Sequence, residues 1–153
     1  IVDWGCSQGI ASMLVLAYIR EKQLDIEVTQ VILIEDDTKA LGRAIAHNQV
    51  FVSKSVEISG FDSKDKTLFT KLKSIKGSNI IHIFANDTMP MEFKDVGFEN
   101  LTNGYFVCIS SVNNVFLEQV HSEISALSKI KILSSRDTLI GRFKRFERIY
   151  KTV

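Results

Sequence analysis

The sequence has little of several features that mark particular classes of protein. Its 153 residues include one proline and two cysteines, Cys6 and Cys108. Both cysteines lie in apolar, strand-like segments, which favours buried free thiols over a disulfide and therefore a reducing compartment. No apolar run approaches the roughly 20 residues that a membrane-spanning helix needs, and no signal peptide is visible. These absences predict a cytoplasmic protein with no membrane partner.

Excess charge and clustered metal ligands are also missing. The formal net charge is +1, so no field of the whole protein would attract nucleic acid or a membrane surface. His47, His82 and His121 are widely separated and lie in unrelated sequence contexts, so no metal site is expected. The length and the hydrophobic fraction of 45% are instead typical of one globular domain with a substantial core.

The sequence does contain an alternation of strand and helix patterns. Apolar runs typical of buried parallel strands alternate with segments whose apolar residues recur at helical spacing. The predicted strands are 1–3, 28–34, 50–58, 79–85 and 105–110. The predicted helices are 10–22, 38–48, 65–75 and 113–127. With a strand-like hairpin over 131–134 and 141–153, this order predicts an α/β fold with a mostly parallel, doubly wound sheet, helices on both faces and the first strand inside.

Chemistry-bearing residues lie where the first two predicted strands end. The first strand runs into a turn that contains Gly5 and Gly9, and the second strand ends at Glu35. Ligands of open α/β sheets bind beyond the carboxyl ends of the strands, where glycines let the backbone approach and an acid accepts hydrogen bonds from ribose hydroxyls. The sequence therefore predicts a site for a nucleoside-containing cofactor.

The glycine spacing separates two classes of cofactor. The dinucleotide pattern G-x-G-x-x-G, started at Gly5, needs glycine where the chain has Ser7 and Ile10, which disfavours a nicotinamide-dependent oxidoreductase. Asp3, Gly5 and Gly9 instead match D-x-G-x-G-x-G, with Ser7 in place of the middle glycine. This pattern resembles motif I of the class I S-adenosylmethionine-dependent methyltransferases.

The resemblance continues through segment 31–44, which is similar to the second motif of that family, and it is specific over residues 1–48. It implies a Rossmann-like methyltransferase domain with S-adenosylmethionine as its cofactor. The residues that would form the cofactor site are Asp3, Gly5, Ser7, Gly9, Glu35, Asp36 and Asp62.

Three acids in this set have ordinary structural alternatives. The resemblance implies that Glu35 binds the 2′ and 3′ hydroxyls of the ribose, although it could simply cap the following helix. Asp36 would lie beside the adenine. Asp62 would accept a hydrogen bond from the adenine amino group, or serve as a loop acid or helix cap.

The residues after the fourth predicted strand bear on the methyl acceptor. Amino-directed methyltransferases carry Asp/Asn-Pro-Pro-aromatic here, and only Asn86 matches, since both prolines are missing and Met89 replaces the aromatic. Asn86 is therefore a possible substrate contact or part of a polar turn, and methylation of DNA amino groups is disfavoured. His82 alternates with apolar residues in the strand, which favours a core histidine over a catalytic one. No general base is identified.

The C-terminal segment 131–153 is basic, with seven Lys or Arg residues against two acids. Aromatic residues interleave with the basic ones, a mixture that suits contact with phosphates and bases. Alternation along a strand places Arg142, Lys144 and Arg148 on one side, so these residues are candidate nucleic-acid contacts. Charge that protects an edge strand from pairing is the alternative.

Two functions remain open from the sequence. The first is an S-adenosylmethionine-dependent methyltransferase of unknown acceptor. The second is a non-catalytic, methyltransferase-like binding or scaffolding module, which Ser7 and the incomplete motif at Asn86 favour. The family usually carries helices before motif I, so we expect residues 1–153 to be one domain from a longer protein whose upstream segment helps to cover the cofactor.

Overall fold

The structure, a computed structural model, describes residues 1–73, 75, 79–85, 104–110, 122, 130–140 and 143–152. Its strands are β1 (Val2–Trp4), β2 (Gln30–Ile34), β3 (Glu57–Phe61), β4 (Ile80–Phe84), β5 (Gly104–Ser110), β6 (Ile130–Ile140) and β7 (Phe143–Thr152). Its helices are α1 (Ile10–Glu21), α2 (Thr38–Gln49) and α3 (Leu68–Lys73).

The seven strands form one sheet in the order β3-β2-β1-β4-β5-β7-β6. Strands β1 to β5 pair in parallel, and β7 is antiparallel to both β5 and β6. Strand β1 has β2 on one side and β4 on the other. The structure therefore confirms the mostly parallel sheet, the interior position of the first strand and the antiparallel hairpin at the C-terminal end.

Helices cover both faces of the sheet because the strands are apolar on both faces. In β2, Val31 and Leu33 point to one face and join the core cluster that includes Ala44 of α2. Ile32 and Ile34 point to the other face and join the cluster that includes residues of α3. Each fully buried aliphatic side chain of this kind stabilises the fold by about 1.5–3 kcal/mol. Strand β1 is thus fixed in a doubly covered sheet, which gives the turn at its end a rigid base.

The third strand lies further along the chain than predicted, at Glu57–Phe61 rather than 50–58. Helix α2 runs to Gln49, and Val50 caps it with 71% of its surface exposed. Phe51 packs against the core cluster on the α2 face of the sheet. The guanidinium carbon of Arg20 lies over its ring, 4.9 Å from the ring centre. The apolar residues after α2 therefore pack a turn and do not form a strand.

The third helix is also shorter than predicted. Asp65 accepts hydrogen bonds from the N–H and hydroxyl of Thr67 and forms a turn before the helix begins at Leu68.

The helix predicted over 113–127 lies almost entirely outside the described residues. Among the residues that the structure does describe, none of the helices has the length and apolar character needed to cross a membrane.

Candidate functional site

The turn between β1 and α1 (residues 5–9, hereafter the β1–α1 turn) has an unusual backbone. Gly5, Ser7 and Gly9 all have positive φ angles, of 59°, 49° and 71°. Glycine adopts this left-handed region freely, whereas other residues lose roughly 1–2 kcal/mol there. Ser7 therefore holds the backbone conformation that a glycine would adopt at the middle position of the motif.

Helix α2 packs directly against this turn. A Cβ at Gly9 would lie 2.6 Å from Asn48 Nδ2 and 2.9 Å from Ala44 Cβ, so only glycine fits. Asn48 is fully buried, and its Nδ2 donates to the carbonyl oxygens of Gly9 at 3.2 Å and Ala44 at 3.0 Å. The neighbouring His47 Nδ1 lies 2.9 Å from the carbonyl oxygen of Gln8, which requires a proton on Nδ1. Two consecutive residues of α2 thus hold two consecutive carbonyls of the turn.

Sequence reasoning missed Asn48 and His47. The available signal was the position of Asn48, which continues the apolar face of α2 and is therefore a polar residue at a core position. Buried amides are hydrogen-bonded in native proteins, so such a residue has a structural partner. The identity of that partner, 39 residues earlier in the chain, depends on the packing of α2 against α1.

Asp3 lies beneath the turn, with 1% of its surface exposed. Its Oδ2 accepts a hydrogen bond of 3.1 Å from the backbone N–H of Ser12 in the first turn of α1. Burial raises the pKa of Asp3 to about 6, and the charge of Glu35 adds to this effect, while hydrogen bonds from Ser12 oppose it. The sequence-predicted Asp3 is therefore a buried carboxylate at the inner end of the site.

Glu35 joins the end of β2 to the β1–α1 turn. Its Oε2 accepts a hydrogen bond of 2.7 Å from the backbone N–H of Ser7. Its Oε1 accepts from the N–H groups of Asp36 at 2.9 Å and Asp37 at 3.2 Å. A backbone hydrogen bond from Cys6 to Ile34 adds a further link between the two strand ends.

The helix-capping alternative for Glu35 is resolved by its neighbour Asp37. Asp37 is the N-cap of α2, and its Oδ1 accepts from the N–H groups of Lys39 at 2.8 Å and Ala40 at 3.1 Å. Glu35 lies two residues before this cap and points to the β1–α1 turn. Its carboxylate is therefore not the N-cap of α2.

Asp36 and Asp62 contact different groups of the same residue, Lys64. The Lys64 ammonium lies 3.2 Å from Asp36 Oδ2, and its hydrogen bond and charge hold the pKa of Asp36 below the usual range. Asp62 Oδ1 accepts from the backbone N–H of Lys64 at 2.8 Å. The turn that Asp62 shapes thus brings Lys64 to Asp36 and joins the loops after β2 and β3.

A cavity of about 600 Å³ opens beside the β1–α1 turn. Asp3 and the turn form its polar end. Ile10 and Leu14 of α1 form one wall, and Ile83 and Val107 of β4 and β5 form the other. Ile10 and Leu14 are about half exposed, so the apolar side of α1 faces this opening. The cavity suits a ligand with a charged end and a less polar body.

The architecture is similar to that of solved methyltransferase structures. No family model and no curated protein matches the sequence. An rRNA methylase from Streptococcus thermophilus has a similar structure, with a TM-score of 0.65 and 11% identity over 99% of this chain and 85% of that chain. The N-terminal domain of human METTL16, in complex with SAH, gives a TM-score of 0.65 and 16% identity over 98% of this chain and 60% of that chain. The chain has the class I methyltransferase fold.

A third similar structure is the magnesium protoporphyrin IX methyltransferase of Synechocystis with bound SAM. It gives a TM-score of 0.59 and 10% identity over 99% of this chain and 69% of that chain. The resemblance read from the first 48 residues is therefore confirmed at the level of the fold. Identities this low do not carry a substrate from one protein to another.

Within this methyltransferase fold, Glu35 contacts the β1–α1 turn, and Asp36 and Asp62 are linked to each other through Lys64. These three acids are not among the residues that line the cavity, whereas Asp3, Gly5 and Ser7 are.

Asn86, the possible substrate contact, lies outside the described residues. His82 is a core residue as predicted, since it accepts a hydrogen bond from Trp4 Nε1 at 3.2 Å and burial lowers its pKa to about 3. Both cysteines are buried free thiols, also as predicted. Among the described residues, no group of three or more His, Cys, Asp or Glu side chains could hold a metal ion.

The candidate nucleic-acid residues belong to the C-terminal hairpin of this fold. Arg142 lies outside the described residues, and Lys144 pairs with Leu139 across β6 and β7. The guanidinium of Arg148 donates to Asp137 Oδ1 at 2.8 Å and to the carbonyl oxygen of Arg136 at 3.2 Å. Arg148 is therefore paired with an acid on the neighbouring strand, which reduces the positive charge it offers to a phosphate.

Proposed function

We propose that this chain binds S-adenosylmethionine at the β1–α1 turn and transfers its methyl group to a nucleophilic acceptor. The observation that carries the proposal is the 2.7 Å hydrogen bond between Ser7 N and Glu35 Oε2, which fixes the acid of the second motif against the turn of the first. The fold supports it, because similar structures of this fold hold SAM or SAH.

The residues present fit the chemistry of this cofactor. Asp3 is a buried carboxylate, and a buried carboxylate is stabilised by a cation such as the ammonium group of a methionine moiety. Glu35 offers a carboxylate oxygen for ribose hydroxyls, and the loops that carry Asp36 and Asp62 would flank the adenine. Gly9 leaves no room for a side chain because Ala44 and Asn48 of α2 pack against it, so the glycine keeps the turn close to α2.

The protein would contribute mainly by positioning. The cofactor supplies a methyl group on a sulfonium, whose C–S bond breaks as the acceptor forms its new bond, leaving S-adenosylhomocysteine. Asp3 and the β1–α1 turn would orient one end of the cofactor, while Glu35 would hold the ribose. Such fixed orientation lowers the entropic part of the barrier without a general base. Asn86 remains the proposed contact to the acceptor.

A non-catalytic binding module is the second candidate, and Ser7 is the observation that favours it. A serine held at a φ of 49° strains the turn, which departs from the glycine of the motif. A module of this kind would bind S-adenosylmethionine or S-adenosylhomocysteine and would transfer no methyl group.

Calorimetry with S-adenosylmethionine, S-adenosylhomocysteine and NAD, each titrated into the same protein, tests the cofactor class. Binding of the first two without NAD supports the proposal, and binding of NAD alone contradicts it. Incubation with methyl-labelled S-adenosylmethionine and separate pools of RNA, DNA and protein then tests catalysis. Label in one pool supports the enzyme, whereas binding without label in any pool supports the non-catalytic module.

A further inference from the structure

We infer that His47 is a positioning residue of the proposed cofactor site. Its ring fixes the peptide unit between Gln8 and Gly9 in the orientation in which the β1–α1 turn binds the cofactor. The inference rests on the proposed function, because it concerns the same turn. His47 acts through the backbone, since it is not among the residues that line the cavity, whereas Gln8 is.

The carbonyl oxygen of Gln8 depends on His47 for its hydrogen bond. Ser12 lies four residues further on and would supply a donor if α1 began earlier, but its N–H donates to Asp3 Oδ2 at 3.1 Å. Within the described part of the chain, His47 Nδ1, at 2.9 Å, is the only hydrogen-bond partner of the Gln8 carbonyl. Helix α2 thus supplies the single contact that holds this oxygen.

The carbonyl oxygen of Gly9, by contrast, has several donors. The N–H of Met13 donates to it at 3.1 Å, the hydroxyl of Ser12 at 3.1 Å and Asn48 Nδ2 at 3.2 Å. Removal of any one of these donors leaves two others in place. Removal of His47 would leave the preceding carbonyl with none, so the orientation of this part of the turn depends on His47.

The peptide unit that joins Gln8 to Gly9 is held at both of its polar groups. Its carbonyl accepts from His47, and its N–H donates to the carbonyl oxygen of Cys6 at 2.7 Å. The surrounding backbone is left-handed, with φ angles of 49° at Ser7 and 71° at Gly9. Glycine tolerates rotation of the peptide unit before it at little steric cost. Without His47, the bond to Cys6 would be the one hydrogen bond that opposes this rotation.

The orientation of this peptide unit decides which backbone groups a ligand meets. Ser7 and Gln8 line the polar end of the cavity, and none of the described lining residues belongs to α2. His47 therefore draws the Gln8 oxygen towards α2. A rotated peptide unit would turn this oxygen away from α2 and change the polar groups at the turn, where the charged end of the cofactor is proposed to lie. Loss of His47 should weaken binding without removing a direct contact.

His47→Asn and His47→Phe separate the hydrogen bond from the shape of the side chain. Asparagine places its amide nitrogen where histidine has Nδ1 and keeps a donor, whereas phenylalanine keeps a ring without one. By calorimetry we expect S-adenosylhomocysteine to bind His47→Phe about fivefold more weakly than the parent, and His47→Asn within about twofold of it. Gln49→Ala, at the exposed neighbouring position, is the control and should bind as the parent does.

Two results of this comparison would overturn the inference. One is parental affinity in His47→Phe. The other is an equal loss in both variants, because the asparagine donor would then fail to replace the histidine. If circular dichroism shows that His47→Phe does not fold, His47→Ala takes its place, since alanine favours the helix and also lacks the donor.

Amide hydrogen exchange measures the state of the peptide unit without a ligand. The N–H of Gly9 should exchange about fivefold faster in His47→Phe than in the parent and at the parental rate in His47→Asn, because the same peptide unit carries this N–H and the Gln8 carbonyl. Unchanged exchange in His47→Phe would contradict the role of His47. If S-adenosylhomocysteine binds none of the proteins, the proposed function fails, and the exchange rates still decide whether His47 fixes the turn.

Discussion

Asn48 of α2 donates a hydrogen bond from Nδ2 to the carbonyl oxygen of Gly9, which lies 39 residues earlier in the chain. The same nitrogen donates to the carbonyl oxygen of Ala44, so the amide can have only one orientation. This contact joins the second helix to the turn on which the proposed cofactor site depends, and it leads to the first prediction.

Asn48→Ala should destabilise the fold by about 1–3 kcal/mol, because it leaves a buried carbonyl without one of its donors. Asn48→Asp should cost more, since a carboxylate would face two carbonyl oxygens. Urea unfolding measures both free energies. Gln49→Ala, at the exposed neighbouring position, is the control and should change stability by less than about 0.5 kcal/mol. An Asn48→Asp protein as stable as the parent would show that the orientation is wrong.

Glu35→Ala should weaken the binding of S-adenosylhomocysteine by about 1.5–3 kcal/mol, the scale of lost charge-assisted hydrogen bonds. Calorimetry on the folded variant gives the change directly. Glu57→Ala removes an exposed carboxylate of the same length from the far end of β3 and should leave the affinity unchanged. Unaltered affinity in a folded Glu35→Ala protein would refute the assignment of Glu35 to the ribose.

Ser7→Gly should strengthen cofactor binding or leave it unchanged, because it removes left-handed strain of roughly 1–2 kcal/mol from the turn. The greater freedom of glycine in the unfolded chain offsets about 0.4–1 kcal/mol of that gain. Gln23 has the same φ of 49° just after α1, so Gln23→Gly is the matched control. Both variants should gain similar stability, and Gln23→Gly should leave binding unchanged. Clearly weaker binding in Ser7→Gly would indicate a specific contact from the serine side chain.

Asp3 should make stability depend on pH. Its folded pKa of about 6 lies above the usual 3.8, so the folded protein holds the proton more tightly than the unfolded chain does. Asp3 therefore adds to the free energy of unfolding fully below about pH 4. This contribution, about 3 kcal/mol in total, is lost as the pH rises through about 6. Asp3→Asn should remove this slope.

Urea unfolding of the parent and of Asp3→Asn from pH 4 to pH 8 gives the difference between the two profiles. The pKa of His82 is lowered to about 3 by burial and contributes the opposite slope, but it is present in both proteins and cancels. Profiles that run parallel between pH 4 and pH 6 would contradict the assigned pKa of Asp3.

The C-terminal hairpin should bind single-stranded RNA or DNA only if its basic residues face solvent together. Binding through Arg142, Lys144 and Arg148 should fall with salt at a log–log slope of about −2 to −3, measurable by anisotropy. Because Arg148 is paired with Asp137 at 2.8 Å, Asp137→Asn should release the guanidinium and strengthen binding. No detectable binding at low salt would contradict a role in nucleic-acid binding. The alternative of edge-strand protection does not fit Lys144 and Arg148, because β7 lies between β5 and β6 and is not an edge strand.

Local patterns predicted the elements that carry the site. The run from Asp3 to Gly9 and the acid at Glu35 depend on neighbours in sequence, and the structure has them at consecutive strand ends. The pattern also marked Ser7 as the residue in place of a glycine, and its positive φ explains why glycine is usual there.

Contacts between segments that are distant in the chain could not be predicted from local sequence patterns. Phe51 resembled part of a strand because it is apolar, but it is apolar in order to pack against the helices on the α2 face. The hydrogen bond from Ser7 N to Glu35 spans 28 residues, and nothing in either segment alone specifies that the carboxylate is already occupied by backbone donors.

The position of β7 between β5 and β6 has a consequence for synthesis on the ribosome. Strand β5 emerges from the ribosome before β6 and β7. Within the described sheet, its outer edge acquires a neighbour only when residues 143–152 follow. Strand β6 is synthesised before β7, but its neighbour in this sheet is β7 and not β5. Within the described sheet, the nascent chain therefore presents an open strand edge, the kind of surface that templates aggregation, until residues 143–152 have emerged.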